Sequence, residues 1–105
     1  MRRGELWWAE LEAPAGQRPV LLLSRDEAYA VRALVIIAPI TTRVRGIPTE
    51  VPLGPVEGLP RPSAVNLDVL LTIPKDSLRE RIGALAPPLL ARAETALRFA
   101  LGLEP

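Results

Sequence analysis

Two polar residues stand at the ends of two strongly apolar runs. Arg18 opens Arg18-Pro19-Val20-Leu21-Leu22-Leu23-Ser24, and Thr41 closes Leu34-Val35-Ile36-Ile37-Ala38-Pro39-Ile40-Thr41. Both runs have the length and apolar continuity of buried strands, and the short polar segment between them holds Arg25, Asp26 and Glu27. Paired as a hairpin, they carry the start of the first strand back to the end of the second. Arg18 and Thr41 would then meet at one mouth of the sheet. A guanidinium offers planar bidentate donors and a hydroxyl a small donor or acceptor, which together suit a phosphate group. Taken alone, Arg18 also fits the commoner role of a strand-starting residue that caps a carbonyl or pairs with Glu10 or Glu12.

Composition narrows the chemistry. The chain has 105 residues, no cysteine and no histidine. Disulfides, thiol nucleophiles, zinc sites of the usual ligand types and imidazole acid–base pairs are therefore excluded. A formal net charge of +1 argues against a general nucleic-acid-coating role. Local charge is another matter, because Arg43, Arg45 and Arg61 form a group separate from the acids, as do Arg79 and Arg81. The length fits one domain, 1–105, marginal as a monomer, and a 49% hydrophobic content suggests that a second subunit covers part of the surface. No apolar stretch of signal-peptide length precedes Trp7, and no segment is long enough to span a bilayer. The expectation is a cytoplasmic protein with no membrane partner.

Elements that would position the two residues can be read along the chain. Residues 5–11 read as a first strand, with Trp7 and Trp8 on opposite faces, one in the core and one exposed at a partner surface or stacking a base. Ala13-Pro14-Ala15-Gly16 is a turn leading to Arg18, and 18–24 and 32–40 are the two core strands. The Pro- and Gly-rich stretch 42–62 reads as two loops around a short edge strand, Thr49-Glu50-Val51-Pro52-Leu53. Residues 63–73 read as another strand region, with Asn66 and Asp68 on one face and Leu67 and Val69 on the other. One helical turn at Lys75–Leu78 and a short strand at Arg81–Leu85 follow. Pro87 and Pro88 open a helix along which Leu90, Ala93, Leu97, Ala100 and Leu101 recur, with Gly102 as its cap. Many short strands and one amphipathic helix predict a small, strongly bent barrel with the helix over one opening.

Gly4-Glu5-Leu6-Trp7-Trp8-Ala9-Glu10-Leu11, Gln17-Arg18-Pro19-Val20, Pro39-Ile40-Thr41-Thr42, Val65-Asn66-Leu67-Asp68 with Leu71-Thr72-Ile73-Pro74, and the closing Ala96–Leu103 resemble, in order, the MazF/PemK family of toxin endoribonucleases. The ordered set carries the resemblance, since each motif alone is common. It implies a mainly β fold with α, an SH3-like (CcdB/PemK-like) barrel of antiparallel strands plus a carboxy-terminal helix, paired as a homodimer. It also implies metal-independent, cofactor-free, sequence-selective cleavage of single-stranded RNA. The products would carry a 2′,3′-cyclic phosphate and a 5′-hydroxyl, and a MazE-like antitoxin peptide would neutralise the toxin.

The resemblance makes Arg18 the main catalytic residue, stabilising charge on phosphorus. It makes Thr41 the hydroxyl that holds a phosphate oxygen or polarises the attacking hydroxyl, with Thr42 beside it as a binding residue. Asp68 matches a carboxylate near the cut site, as base or as a group orienting Arg18. Asn66 would contact a base edge, Arg43 and Arg45 would track the RNA backbone, and Ser24 occupies a small polar position at the end of the first core strand. One departure stands out. The loop before Arg18 is only Glu12-Ala13-Pro14-Ala15-Gly16-Gln17 and lacks the family's Ser-Glu-Gln-like segment, leaving the base without a clear identity. Two rivals follow: a CcdB-like gyrase-poisoning toxin, and a non-catalytic RNA- or peptide-binding relative.

Overall fold

The computed structural model describes residues 1–103, so the last two residues of the expected 1–105 domain lie outside the described residues. Seven strands and two α-helices follow one another along it: β1 (Glu5–Glu10), β2 (Gln17–Leu22), α1 (Ala28–Val31), β3 (Leu34–Thr41), β4 (Glu50–Leu53), β5 (Ser63–Asn66), β6 (Leu71–Pro74), β7 (Leu78–Ala84) and α2 (Pro87–Leu101). The antiparallel sheet runs β4-β5-β3-β2-β1-β7, with β6 also paired to β3.

The two central strands are apolar on both faces where they pair, because both faces are covered there, while Leu34 and Ile36 in the first half of β3 remain exposed. Leu21, Ala38 and Ile40 point into one cluster with Val51, Val65, Leu67, Ala93 and Ala96. Val20, Leu22, Val35 and Ile37 point into the other, with Ala9, Ile73 and Leu78. Strand alternation thus distributes one continuous apolar run between two cores, and Val20, Leu21 and Leu22 are all fully buried. The fold is mainly β with a carboxy-terminal helix, as expected, and the sheet of the expected small barrel curls into a half-barrel.

β3 is the organising strand. Its first half pairs with β6, Leu34 opposite Pro74 and Ile37 opposite Leu71. Its last two residues pair with β5 instead, Ile40 opposite Val65 and Thr41 opposite Ala64. Residues 63–73 are consequently two strands rather than the single region expected. The break is chemical. The Asn66 side-chain carbonyl accepts the Asp68 amide at 3.0 Å, the Asx-type turn that competes with a strand ladder. It ends the alternation, leaving Leu67 buried and both Asp68 and Val69 exposed.

Smaller differences have equally local causes. The link between the core strands folds into the short helix α1, and β7 starts at Leu78, just after a 3-10 turn at Lys75–Ser77. Two register shifts between β1 and β7 bend that edge. Burial pushes the Glu5 carboxyl up. Hydrogen bonds from the Trp7 indole, the Arg2 amide and Arg81 outweigh it and hold the group below its ordinary value. Helix α2 begins at Pro87 and ends at Leu101, capped by Gly102, whose φ of 71° is the left-handed conformation that suits glycine. It buries Ala93 and Ala96, while Leu101 of the expected stripe remains 53% exposed. Arg3 pairs with Glu94, fastening the amino terminus to α2. Among the described residues no helix is long and apolar enough to cross a membrane.

Candidate RNA-cleaving groove

Strands β2 and β3 pair with Val20 opposite Pro39, Leu21 opposite Ala38 and Leu22 opposite Ile37. Continuing that register two residues outward sets Arg18 opposite Thr41. Both line a cleft of about 450 Å³ together with Pro39, Thr42, Arg43, Arg45, Glu50, Asn66 and Val69. They also line an adjoining cleft of about 320 Å³, whose other walls are Trp8, Pro19, Ile40, Thr42, Pro60, Arg61 and Ser63. Arg18, Thr41 and Thr42 therefore form a ridge shared by two depressions.

Each side chain on that ridge is held by local structure. Arg18 is exposed, and its Nε donates to the Ala15 carbonyl at 3.3 Å, within the turn that delivers the chain into β2. That contact uses Nε and not the terminal nitrogens of the guanidinium. Among the described residues Arg18 has no carboxylate partner, so neither Glu10 nor Glu12 pairs with it. Thr41 is half-buried, and its Oγ accepts the Arg43 backbone N–H at 3.0 Å. A hydroxyl that accepts from the backbone keeps its proton to donate elsewhere.

Of the other expected residues, Thr42, Arg43, Arg45 and Asn66 line the larger cleft. Asn66 spends its carbonyl on its own turn and keeps its amide N–H groups free for another acceptor. Asp68 is not brought to the cleft. It is exposed on the far limb of the Asn66 turn and accepts the Thr49 hydroxyl at 2.9 Å. Ser24 is not brought there either. It is buried at the opposite end of the hairpin, where its Oγ accepts the Ile36 amide at 2.8 Å. The two tryptophans are both half-buried rather than one in and one out. Trp7 packs against the second core cluster and donates its indole N–H to Glu5 at 2.9 Å, while Trp8 walls the smaller cleft beside Arg18.

One participant has no clear sequence signal. Glu50 is 8% exposed, yet it lines the Arg18–Thr41 cleft. Its pairing with Asn66 across β4 and β5 places both on one face. The sequence shows only an acid in a short edge strand, and burial follows from the loop folding back over it.

Electrostatically the two clefts are lined by four guanidinium groups, Arg18, Arg43, Arg45 and Arg61, and by one carboxylate, Glu50. Among the described residues no three acidic side chains gather as a metal site. Converging guanidinium groups around a hydroxyl donor suit a phosphodiester backbone, with room for a nucleotide on either side of the ridge.

Comparison with known proteins bears on the family and the fold. A probable endoribonuclease MazF5 of Mycobacterium tuberculosis is 43% identical over 100 residues, covering 94% of this chain and 91% of that protein. Among solved structures, the Mycobacterium tuberculosis toxin MazF-mt6 superposes with a TM-score of 0.89 at 38% identity, covering 96% of this chain and 99% of that one. An endoribonuclease in complex with its cognate antitoxin, from a mycobacterial species, superposes with a TM-score of 0.87 at 32% identity, covering 100% and 98%. The family model for PemK-like, MazF-like toxins of type II toxin–antitoxin systems matches residues 2–101, and the chain belongs to that family.

Proposed function

We propose that this chain is the toxin of a type II toxin–antitoxin system and a metal-independent, sequence-selective endoribonuclease acting on single-stranded RNA in the cytoplasm. The observation that carries this reading is the ridge on which Arg18 and Thr41 share two clefts lined with arginine. Relatives named as endoribonucleases support the reaction class.

A phosphodiester lies across the ridge, its non-bridging oxygens taking the Arg18 guanidinium and the Thr41 hydroxyl. The ribose 2′-oxygen attacks phosphorus, the bond to the 5′-oxygen breaks, and a 2′,3′-cyclic phosphate and a 5′-hydroxyl result. The 2′-hydroxyl proton is lost to water, and water returns one to the leaving oxygen. Arg18 and Thr41 accelerate the step by meeting the charge that builds on phosphorus, donors fixed in advance being worth several kcal/mol at such sites. The chain has no imidazole to act as base. Asp68, engaged by Thr49, steadies the Asn66 turn instead of reaching the phosphate. Metal independence rests on the donor set, a guanidinium-rich lining with one carboxylate already occupied by two backbone amides.

Arg43 and Arg45 hold the strand's phosphates, and Asn66 and Trp8 read or stack flanking bases. The protein acts as a homodimer, for which the exposed apolar side chains Leu34 and Ile36 on β3 and Leu71 on adjacent β6 are the support. A cognate antitoxin binds this toxin, as one is bound in the complexed mycobacterial relative, and the open, arginine-lined clefts are the surface it would cover. A gyrase-poisoning role would leave the paired Arg18 and Thr41 without a purpose.

The test is cut-site mapping on a long defined RNA with end-group analysis, with and without EDTA. Chelator-insensitive cuts at a recurrent sequence with cyclic phosphate ends are expected. Intact RNA, or cleavage abolished by chelator, would overturn the proposal.

A further inference from the structure

Among the groups lining the larger cleft, Glu50 alone is negative, and it is nearly buried. A carboxylate facing the path of a polyanion is unfavourable unless it is neutralised locally or performs a task. Its contacts identify the task. A single oxygen, Oε1, accepts two successive backbone amides, Arg45 N–H at 2.9 Å and Gly46 N–H at 3.0 Å. The Glu50 amide in turn donates to the Ile47 carbonyl at 2.9 Å. Residues 45–50 thus close into a ring around that one side chain. Gly46 has φ of +71°, a backbone turn that favours glycine and here lies between the two residues' amides and the return of the chain to β4. Amides donating to a carboxylate are stronger than ordinary backbone hydrogen bonds. The same ring anchors the segment that carries Arg43 and Arg45 into the cleft.

We infer that Glu50 is a positioning residue for RNA binding, its carboxylate tying down the Arg43–Gly46 loop so that two guanidinium groups are held ready on one side of the Arg18–Thr41 ridge. This rests on the nuclease reading above and adds to it how the substrate strand is gripped. The carboxylate acts through the loop and takes no proton from RNA.

The conservative variant separates these roles, because Glu50→Gln keeps a side-chain oxygen able to accept both amides but cannot act as a base. Steady-state cleavage of a short RNA should show Glu50→Ala raising KM about tenfold or more with kcat changed less than about threefold, and Glu50→Gln returning KM most of the way. Amide hydrogen exchange at Arg45 and Gly46, read in the RNA-free protein, should rise in Glu50→Ala and stay protected in Glu50→Gln. A large loss of kcat in both variants, with the acid limb of the pH–rate profile gone, would make Glu50 a base and overturn the inference. So would unchanged exchange at those amides in Glu50→Ala. The exchange measurement needs no activity. A wild-type protein that leaves RNA intact while showing the predicted exchange pattern refutes the nuclease reading alone.

Discussion

Thr41 accepts the Arg43 backbone N–H through its side-chain oxygen at 3.0 Å. One hydroxyl therefore helps turn the chain out of β3 toward Arg43, which also lines the cleft, and keeps its own proton available for a phosphate bound there. Thr41→Ser keeps both contacts and should retain kcat within about threefold, whereas Thr41→Val, similar in shape but lacking the hydroxyl, should lower it about 100-fold. Single-turnover cleavage of a defined RNA measures this. Equal rates for the two variants would remove the hydroxyl from the account.

Arg43 and Arg45 should contribute affinity rather than chemistry. Each phosphate neutralised on a single strand adds about −0.7 to the slope of log K against log salt. Arg43→Ala and Arg45→Ala should each flatten that slope by about this amount while weakening binding to all sequences alike. Fluorescence anisotropy at several salt concentrations is the assay, and an unchanged slope would place those side chains in solvent.

Much of this arrangement is legible in the residues. Continuous apolar runs with Arg18 and Thr41 at opposite ends predict a hairpin, and the observed β2–β3 pairing brings both residues to the same two clefts. Pro87, Pro88 and Gly102 bracket α2 because fixed φ and a left-handed cap are local properties. What could not be read depends on contacts between segments distant in sequence. Asn66-Leu67-Asp68-Val69 alternates like a strand, and only the Asn66 carbonyl reaching the Asp68 amide converts it into a turn and takes Asp68 off the cleft. Ser24 follows the same strand that Arg18 opens, but a strand's two ends are far apart, and Ser24 is occupied by Ile36 at the other one. Glu50 resembles any exposed edge-strand acid until the loop closes on it.

Tyr29 supplies a prediction about stability. Its hydroxyl is buried and makes no hydrogen bond among the described residues. Burial pushes the phenol from 10.0 up to about 12, and nearby Ser24 eases that shift without reaching hydrogen-bond geometry. Because the folded state keeps the proton after the unfolded chain has lost it, this contribution is intact below the unfolded value. Stability then falls as pH rises from about 10 to about 12. Tyr29→Phe should remove that alkaline decline. At neutral pH it should unfold within about 1 kcal/mol of wild type, since no hydrogen bond is lost. Urea unfolding across the pH range tests both. A destabilisation near 3 kcal/mol at neutral pH would mean that the hydroxyl has a partner.

The ridge itself is tested most directly by Arg18→Ala. The measurement is the single-turnover rate of RNA cleavage with end-group analysis, made on protein whose melting temperature and elution volume match wild type. The exposed position of Arg18 should leave the fold intact, and loss of its guanidinium should cut the rate by about 1,000-fold or more. Cleavage by the variant within about threefold of wild type, at the same sites and with the same ends, would contradict the account.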